Sequence, residues 1–206
     1  MNKHVQNKNS LNRYLLCFHF NESIIADVLS FTATEHLSKP YKYMIKFTCP
    51  DKALPLDQVL NTTASFLLRA PGPQVLHHSD PEWVALKQVN GIITSFSRIN
   101  SSPDEALYEC ILENELALLD KTRKSAVYLN ISVPELVKKV MLEHKQIQSY
   151  KIDFDKLRST YPSRAMTIQW QETDLQFIMR LLSEVGIWFH FANHPKIMTE
   201  TLILFS

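Results

Sequence analysis

Histidines are the residues of this chain whose spacing could support metal chemistry. His190 and His194 have the H-x3-H spacing of many zinc ligands, and His77 and His78 lie close to Asp80 in a proline-rich segment. That spacing gathers two ligands when both lie on one face of a helix, whereas His190 falls in a predicted strand and His194 in a predicted turn. For His77, His78 and Asp80, a solvated loop is the interpretation that we favour. We therefore expect no metal site and no cofactor, and a small metal-dependent hydrolase stays an alternative.

Glu172 and Asp174 flank Thr173 and could act as an acid–base pair. They also precede an apolar helical pattern, and negative charge near a helix N-terminus is stabilised by the helix dipole by about 0.3–1 kcal/mol. Helix capping is the interpretation that we favour. Serines and cysteines lack the G-x-S-x-G context or the partnered base that a nucleophile needs. We therefore predict no catalytic residues.

Arg164 and Arg180 could bind an anion, but arginines near carboxylates more often pair with them. Glu172 and Glu184 are the expected partners, and Glu184 lies four residues after Arg180, so that this pair can meet on one helix face. We expect ion pairs here.

The overall composition argues against several classes of protein. Lys and Arg total 22 against 21 Asp and Glu, and the formal net charge of +1 provides no field that would attract nucleic acid or an anionic membrane. Residues 1–12 are polar and predict a flexible tail with no signal peptide, and no apolar run approaches the roughly 20 residues that span a bilayer. We expect a chain made in the cytoplasm, without membrane insertion. Three cysteines without C-x-x-C spacing predict reduced thiols: Cys17, Cys49 and Cys110.

Short β patterns dominate residues 13–120, which we predict to form the first domain. The residues Tyr41, Tyr43, Ile45 and Phe47 alternate with Lys42, Met44 and Lys46, as in a strand with one buried face. Further predicted strands are Ala64–Leu68, Val89–Phe96 and Leu107–Leu112, and the proline-rich residues 71–83 predict a long loop. Several short strands separated by turns predict a sandwich or barrel.

Residues 121–206 have a mixed α and β pattern. Ser132 and Glu135 have capping-box spacing with Pro134 in the first turn, and predict a helix from about Val133 to Glu143. Thr173 and Gln176 form a second box, followed by apolar residues at helical spacing and by Gly186 at the C-terminal cap. Two strands are predicted to follow, Ile187–Phe191 and Thr201–Phe205, joined by a turn at Asn193-His194-Pro195.

Aromatic residues are frequent around the second predicted helix and could form a binding platform. Their alternation and helical phase favour a packed core instead. The residues are Trp170, Phe177, Trp188, Phe189 and Phe191.

The stretch from Tyr161 to Phe191 contains an ordered set of motif residues, namely Tyr161, Pro162, Arg164, Gln169, Trp170, Glu172, Thr173, Asp174, Leu175, Phe177, Arg180, Leu181, Leu182, Glu184, Gly186 and Ile187. This set resembles the signature of the VgrG family of type VI secretion spike proteins. Weaker similarity is found at residues 35–41 and 90–96. A strand at Ala126–Leu129 departs from the family's usual Arg-Ile-Phe-Gln.

The resemblance implies a mainly β fold similar to the hub of contractile phage tails, with two barrel-like domains and packed helices. Residues 121–206 would then hold an α+β part and the start of the second barrel-like domain. It also implies a homotrimer that docks on a hexameric, Hcp-like tail-tube protein, contacts baseplate proteins and leaves the cell through the contractile apparatus. Full-length members continue into a barrel and a β-helix needle that this sequence lacks. Either the sequence is one part of a longer protein, or it is a short relative that makes only the hub, in which case a separate needle or effector chain is a further expected partner. A phage or prophage tail hub is the alternative that the resemblance leaves open.

Overall fold

The computed structural model describes residues 13–21, 24–72, 83–144, 151–193 and 200–206. The chain divides into two compact units. The first contains Met1–Ala33 and Tyr43–Leu112, and the second contains Thr34–Lys42 and Glu113–Ser206. Several sequence predictions lie outside the described residues, namely the tail at residues 1–12, the loop residues His77, His78 and Asp80, and the turn at His194 and Pro195.

The first unit is built on a closed barrel of six strands. Their order around the barrel is β1-β2-β3-β6-β5-β4, so that each described strand is paired on both sides and no edge is left open. The strands are β1 (Tyr14–Phe18), β2 (Ala26–Thr34), β3 (Lys42–Cys49), β4 (Thr63–Pro71), β5 (Trp83–Ser101) and β6 (Ala106–Glu113), with a short helix α1 (Leu56–Val59) before β4.

Strand β5 is much longer than the predicted Val89–Phe96. It pairs with β4 from Thr63 opposite Ile92 to Pro71 opposite Trp83, with an irregularity between Leu68 and Arg69. Its first part, Val84 to Lys87, is exposed and does not alternate between buried and exposed positions. The N-terminal extension of β5 therefore depends on its pairing with β4, and a local pattern of apolar residues does not predict such a pairing.

Aromatic side chains fill the barrel interior. The predicted alternation is confirmed, because Tyr43, Ile45 and Phe47 of β3 are buried while the residues between them are exposed. Tyr108 of β6 stacks on Phe47 at 5.5 Å between ring centroids, and its hydroxyl donates to the Asp51 carbonyl at 2.9 Å. The interior of the barrel is therefore a packed core of large buried rings.

The three cysteines are reduced thiols, as predicted. Cys49 and Cys110 are buried. Burial raises the pKa of the Cys110 thiol to about 12, with a smaller contribution from Glu109. A thiol that stays protonated is a poor nucleophile.

The second unit combines helices with two small sheets. A 3₁₀ helix at Glu115–Asp120 precedes β7 (Arg123–Ile131), α2 (Val133–Leu142), β8 (Lys151–Asp153), β9 (Arg164–Thr173), α3 (Asp174–Glu184), β10 (Trp188–Asn193) and β11 (Glu200–Phe205). Strands β7 and β9 form an antiparallel ribbon, and β10, β11 and β8 form a sheet in that order with β8 parallel to β11. Fold class is therefore mainly β with an α+β second part, as predicted.

Helices α2 and α3 supply much of the core of the second unit. Each has apolar residues at helical spacing that are buried on one side, as the sequence pattern predicted. The buried residues of the two helices are Val133, Leu136, Val137, Val140, Met141, Leu175, Phe177, Ile178, Leu181 and Leu182. Within the described ranges, no helix has the length and apolar character needed to cross a membrane.

The segment Thr34–Lys42, which we assigned to the first domain from the sequence, groups with the second unit. Ser38 accounts for this placement. Its amide donates to the Phe189 carbonyl at 2.9 Å, and its hydroxyl accepts from the Phe189 amide at 3.1 Å. Tyr41 packs edge-on against Phe191 at 5.4 Å. Contacts with β10, a strand far away in sequence, therefore decide where this segment belongs.

Candidate functional site

The stretch from Tyr161 to Phe191 forms a strand, a capped helix and a second strand. The capping box is complete, because the Thr173 hydroxyl accepts from the Gln176 amide and the Gln176 side chain accepts from the Thr173 amide, both at 3.2 Å. At the other end of α3, Gly186 has φ +71°, the left-handed conformation that favours glycine. These local signals set the length of α3.

Helix α2 is capped by the corresponding residues of the first predicted box. The Glu135 carboxylate accepts from the Ser132 amide at 3.2 Å and from its hydroxyl at 2.6 Å. The hydrogen bonds from the Ser132 side chain and backbone hold the pKa of Glu135 below its usual range. The helix begins where the sequence predicted.

Arg180 is surrounded by carboxylates and a carbonyl. Its guanidinium donates to both carboxylate oxygens of Glu172, to Glu184 at 2.7 Å and to the Ile168 carbonyl at 3.0 Å. Arg164 donates to the other oxygen of Glu184 at 2.7 Å. The predicted ion pairs are confirmed, and the guanidinium of Arg180 is engaged within the chain.

The pKa values follow from these pairs. Hydrogen bonding to Glu172 raises the pKa of Arg180, although partial burial works in the opposite direction. The hydrogen bond from Arg164 holds the pKa of Glu184 below its usual range, with Arg180 adding to the effect. Both groups are therefore charged over the physiological range, and they link β9 to α3.

A buried polar network lies beside the first turn of α3. The fully buried Gln169 amide donates to Asp174 Oδ1 at 2.8 Å and to the Glu172 carbonyl at 3.1 Å. Lys124 Nζ lies 3.0 Å from Asp174 Oδ1, and His144 Nε2 lies 2.7 Å from Asp174 Oδ2. Every oxygen of this buried carboxylate therefore has a partner.

Burial alone would raise the pKa of Asp174, because the charged form loses its water. Hydrogen bonds from Gln169, His144 and Lys124 outweigh that effect and lower the pKa. Asp174 is therefore an anion whose role in the fold is to bring α3, β7 and the end of α2 together.

The remaining motif residues differ in burial. Tyr161 packs against the core of the second unit, and its hydroxyl is a buried atom without a hydrogen-bond partner. Pro162 is exposed in the segment before β9.

The metal hypothesis gains no support from the described part of the chain. Within it, no group of three or more His, Cys, Asp or Glu side chains is arranged to hold a metal ion. His190 lies in β10, as predicted, and stacks on Phe205 at 5.0 Å between ring centroids.

The aromatic residues around α3 separate into two groups. Phe177 and Phe189 are buried in the core, and Phe191 packs against it. Trp170 and Trp188, in contrast, are 71% and 39% exposed, so the core prediction is wrong for these two residues. Trp170 faces outward because its neighbour Gln169 occupies the inward position of β9, and strand side chains alternate.

The ribbon of β7 and β9 presents an apolar face that the sequence analysis did not identify. Val127 lies opposite Ile168, and Leu129 lies opposite Met166. These four side chains and Trp170 are all exposed, and we call them the outer face of the ribbon. The inward positions carry Tyr128 and the polar residues Thr167 and Gln169, whereas the apolar residues of the outer face point away from the core. Alternating apolar residues in a sequence do not indicate which face of the strand is buried against the core.

Comparisons with known proteins place this geometry in a family. The family profile described as phage tail baseplate hub (GPD) matches residues 34–206. The type VI secretion system spike protein VgrG5 of Pseudomonas aeruginosa is 31% identical over 163 residues, which are 79% of this chain and 19% of that protein. The chain thus spans about a fifth of this relative's length.

Solved structures agree with the profile. The Escherichia coli protein c3393, described as a component of the type VI secretion system with structural similarity to the phage T4 tail proteins gp27 and gp5, aligns with TM-score 0.77 and 36% identity. That alignment covers 93% of this chain and 48% of the E. coli chain. A Francisella PdpA–VgrG complex shares the fold at TM-score 0.63 and 11% identity, over 87% of this chain and 27% of that one. The chain described here therefore belongs to the phage tail baseplate hub family, together with the VgrG spike proteins of type VI secretion systems.

Proposed function

We propose that this chain is a structural hub component of a type VI secretion spike and that it has no catalytic role. The observation that carries the proposal is the match of residues 34–206 to the hub family, together with the similarity to a solved E. coli component of the secretion system. The geometry supports it, because Arg164, Arg180, Glu172 and Glu184 bind one another. Asp174 is likewise held by three side chains.

The proposed assembly is a homotrimer that docks on a hexameric, Hcp-like tail-tube protein and contacts baseplate proteins. A trimer in which each chain contributes two barrel-like domains presents six similar units around its axis, and each unit can meet one subunit of a hexameric ring. The described barrel is one such unit, and the second barrel-like domain predicted to start within residues 121–206 is the other. A needle or effector chain is a further proposed partner.

The proposed route out of the cell is the contractile apparatus itself. The chain is made in the cytoplasm, assembles there with the tube, and is exported without a signal peptide. Delivery of effectors then depends on the assembled spike and on no reaction performed by this chain.

Deletion of the coding sequence, followed by complementation, tests the proposed function. We expect loss of the gene to abolish release of the tail-tube protein into the medium, and re-expression to restore it. A direct measurement is binding of the purified chain to purified tail-tube rings by sedimentation. Unchanged tube-protein release together with the absence of ring binding contradicts the proposal.

A phage tail hub is the second candidate, because the family profile that matches is that of phage tail baseplates. The two candidates differ in what the deletion removes. Loss of tail particles from induced cultures, with tube-protein release unchanged, assigns the chain to a phage tail. Stoichiometric zinc and hydrolysis by the purified protein would instead support the metal-dependent hydrolase.

A further inference from the structure

Strand β10 lies at one edge of the three-stranded sheet of the second unit, whose order is β10-β11-β8. On its inner side, Trp188 to Asn193 pair with Phe205 to Glu200 of β11. A strand at an edge presents a row of backbone N–H and C=O groups on its outer side, and these groups can pair with a strand of another chain. What lies against the outer side of β10 therefore determines whether the sheet can be extended.

The outer side of β10 is occupied at Phe189 by a residue that is far away in sequence. The Ser38 amide donates to the Phe189 carbonyl at 2.9 Å, and the Phe189 amide donates to the Ser38 hydroxyl at 3.1 Å. Both backbone groups of Phe189 are thus used, although Ser38 itself lies in no strand. An added antiparallel strand needs the same two groups, since a hydrogen-bonded pair of residues exchanges both bonds.

Residues 35–41, which join β2 to β3 and contain Ser38, do not form a new strand edge of their own. Ser38 has φ +58°, in the left-handed region, so the backbone leaves an extended course at the residue that contacts β10. Pro40 has no backbone N–H and cannot donate to a ladder. The segment therefore satisfies the edge of β10 without offering a strand to which a further chain could pair.

We infer that residues 35–41 are a built-in cover of the β10 edge, and that they prevent an extended polypeptide from adding to this sheet as a further strand. Sheets protect their edges by covering them with a loop and by placing proline there. The ligand class that the cover excludes is an extended peptide that is recognised through its main chain. Such a peptide must displace Ser38 before it can pair with Phe189.

Most of the cover is exposed to solvent, namely residues 35–37 and Lys39. Its buried residue Tyr41 packs edge-on against Phe191 of β10 at 5.4 Å, so that the cover remains beside the strand. Exposed segments open at a lower free energy than the core of a sheet. Ser38 favours opening further, because the left-handed conformation is disfavoured for residues other than glycine. We therefore expect the cover to open more readily than the sheet unfolds.

Hydrogen exchange at the Phe189 amide, measured by NMR on the whole chain, tests whether Ser38 covers the edge. Ser38→Gly keeps the left-handed backbone and the amide donor but removes the hydroxyl, whereas Ser38→Val also disfavours the positive φ. We expect exchange at Phe189 to be roughly tenfold faster in Ser38→Gly and faster again in Ser38→Val. Ile203 in the central strand should exchange as in the wild type. Lys39→Val is the matched control, since it places the same side chain at the exposed neighbouring residue.

A fluorescent peptide with the sequence of β11, Glu200–Phe205, tests whether the uncovered edge accepts a strand. This sequence is chosen because β11 is the strand that pairs with β10 in the fold. We expect fluorescence anisotropy to show binding to Ser38→Val that is roughly tenfold tighter, or more, than binding to the wild type or to Lys39→Val. The same peptide with methylated backbone amides should not bind, since it cannot donate to a ladder.

Three results would each overturn the inference. The first is a peptide that binds Ser38→Val no more tightly than it binds the wild type. The second is equal binding of the methylated peptide, which assigns the contact to side chains. The third is unchanged exchange at Phe189 in both Ser38 variants. Circular dichroism checks that each variant is folded, and Ser38→Gly, which suits the left-handed backbone, provides the same comparison if valine prevents folding.

Discussion

The side-chain amide of Gln169 donates to Asp174 Oδ1 at 2.8 Å, and both residues are almost completely buried. The bond joins the inward face of β9 to the first turn of α3. It also explains why apolar neighbours of Gln169 in β9 point to solvent, because the inward position is occupied by a residue with three hydrogen-bonding partners, Tyr128, the Glu172 carbonyl and Asp174.

Gln169→Leu removes this amide while keeping an apolar side chain of similar size. The Glu172 carbonyl then loses a donor and the Tyr128 hydroxyl loses its acceptor, while Asp174 Oδ1 keeps only Lys124. An unsatisfied buried group costs about 1–3 kcal/mol. We expect the free energy of unfolding, measured with urea, to fall by about that amount. The control is Gln58→Leu at an exposed position of α1, which should leave stability nearly unchanged.

Acid should destabilise the protein through Asp174. Its pKa is lower in the folded chain than the ordinary value of 3.8, so its ionised form stabilises the fold above that pH. The contribution is lost as the pH falls through the lowered pKa. We expect Asp174→Asn to be less stable than the wild type at pH 7, and the difference between the two to shrink below about pH 4. Urea unfolding at a series of pH values measures this, with the exposed turn residue Asp104→Asn as the control. A difference that does not change with pH contradicts the prediction.

Thr173→Ala should destabilise α3 more than a surface substitution does. The hydroxyl accepts from the Gln176 amide and donates to Asp120 at 2.6 Å, so alanine removes both the cap and a link to the 3₁₀ helix. Loss of an N-cap costs about 0.5–2 kcal/mol. Thr173→Ser keeps the hydroxyl and should retain most of the stability in thermal unfolding. If Thr173→Ser lowers the stability as much as Thr173→Ala does, the loss of the hydroxyl does not explain the destabilisation.

Gly186→Ala isolates the cost of backbone conformation. A Cβ at this position meets nothing within 4 Å, so packing is not disturbed. The φ of +71° is nevertheless unfavourable for alanine by about 1–2 kcal/mol. We expect a decrease of that order in the free energy of unfolding, and a smaller decrease for Gly186→Asn, since asparagine tolerates the left-handed region better. Equal effects of the two variants would argue against a conformational origin.

The features that could be predicted from the sequence are those set by neighbouring residues. The Thr173 box, the Gly186 cap and the alternation around Tyr43 each act within a few positions, and each is found where it was predicted. The pairing of Arg180 with Glu184 is local in the same sense, because one helical turn joins the two residues.

Features that depend on distant contacts could not be predicted in this way. Trp170 and Gln169 are adjacent, and apolarity alone assigned the wrong one to the core. The partners of Asp174 come from β7, β9 and the end of α2, and no spacing in the sequence relates them. The placement of Ser38 in the second unit depends on a strand that is 151 residues further along the chain.

The contact between Ser38 and Phe189 has a consequence for synthesis on the ribosome. At about 5–20 residues per second, on the order of ten seconds pass between the emergence of these two residues. Throughout that interval the nascent chain contains Ser38 without the strand that holds it, and β3 to β6 are all translated before β10. The connection between two barrel strands is thus the first piece of the second unit to be translated, and it receives its hydrogen bonds from β10 only after all six barrel strands have been made.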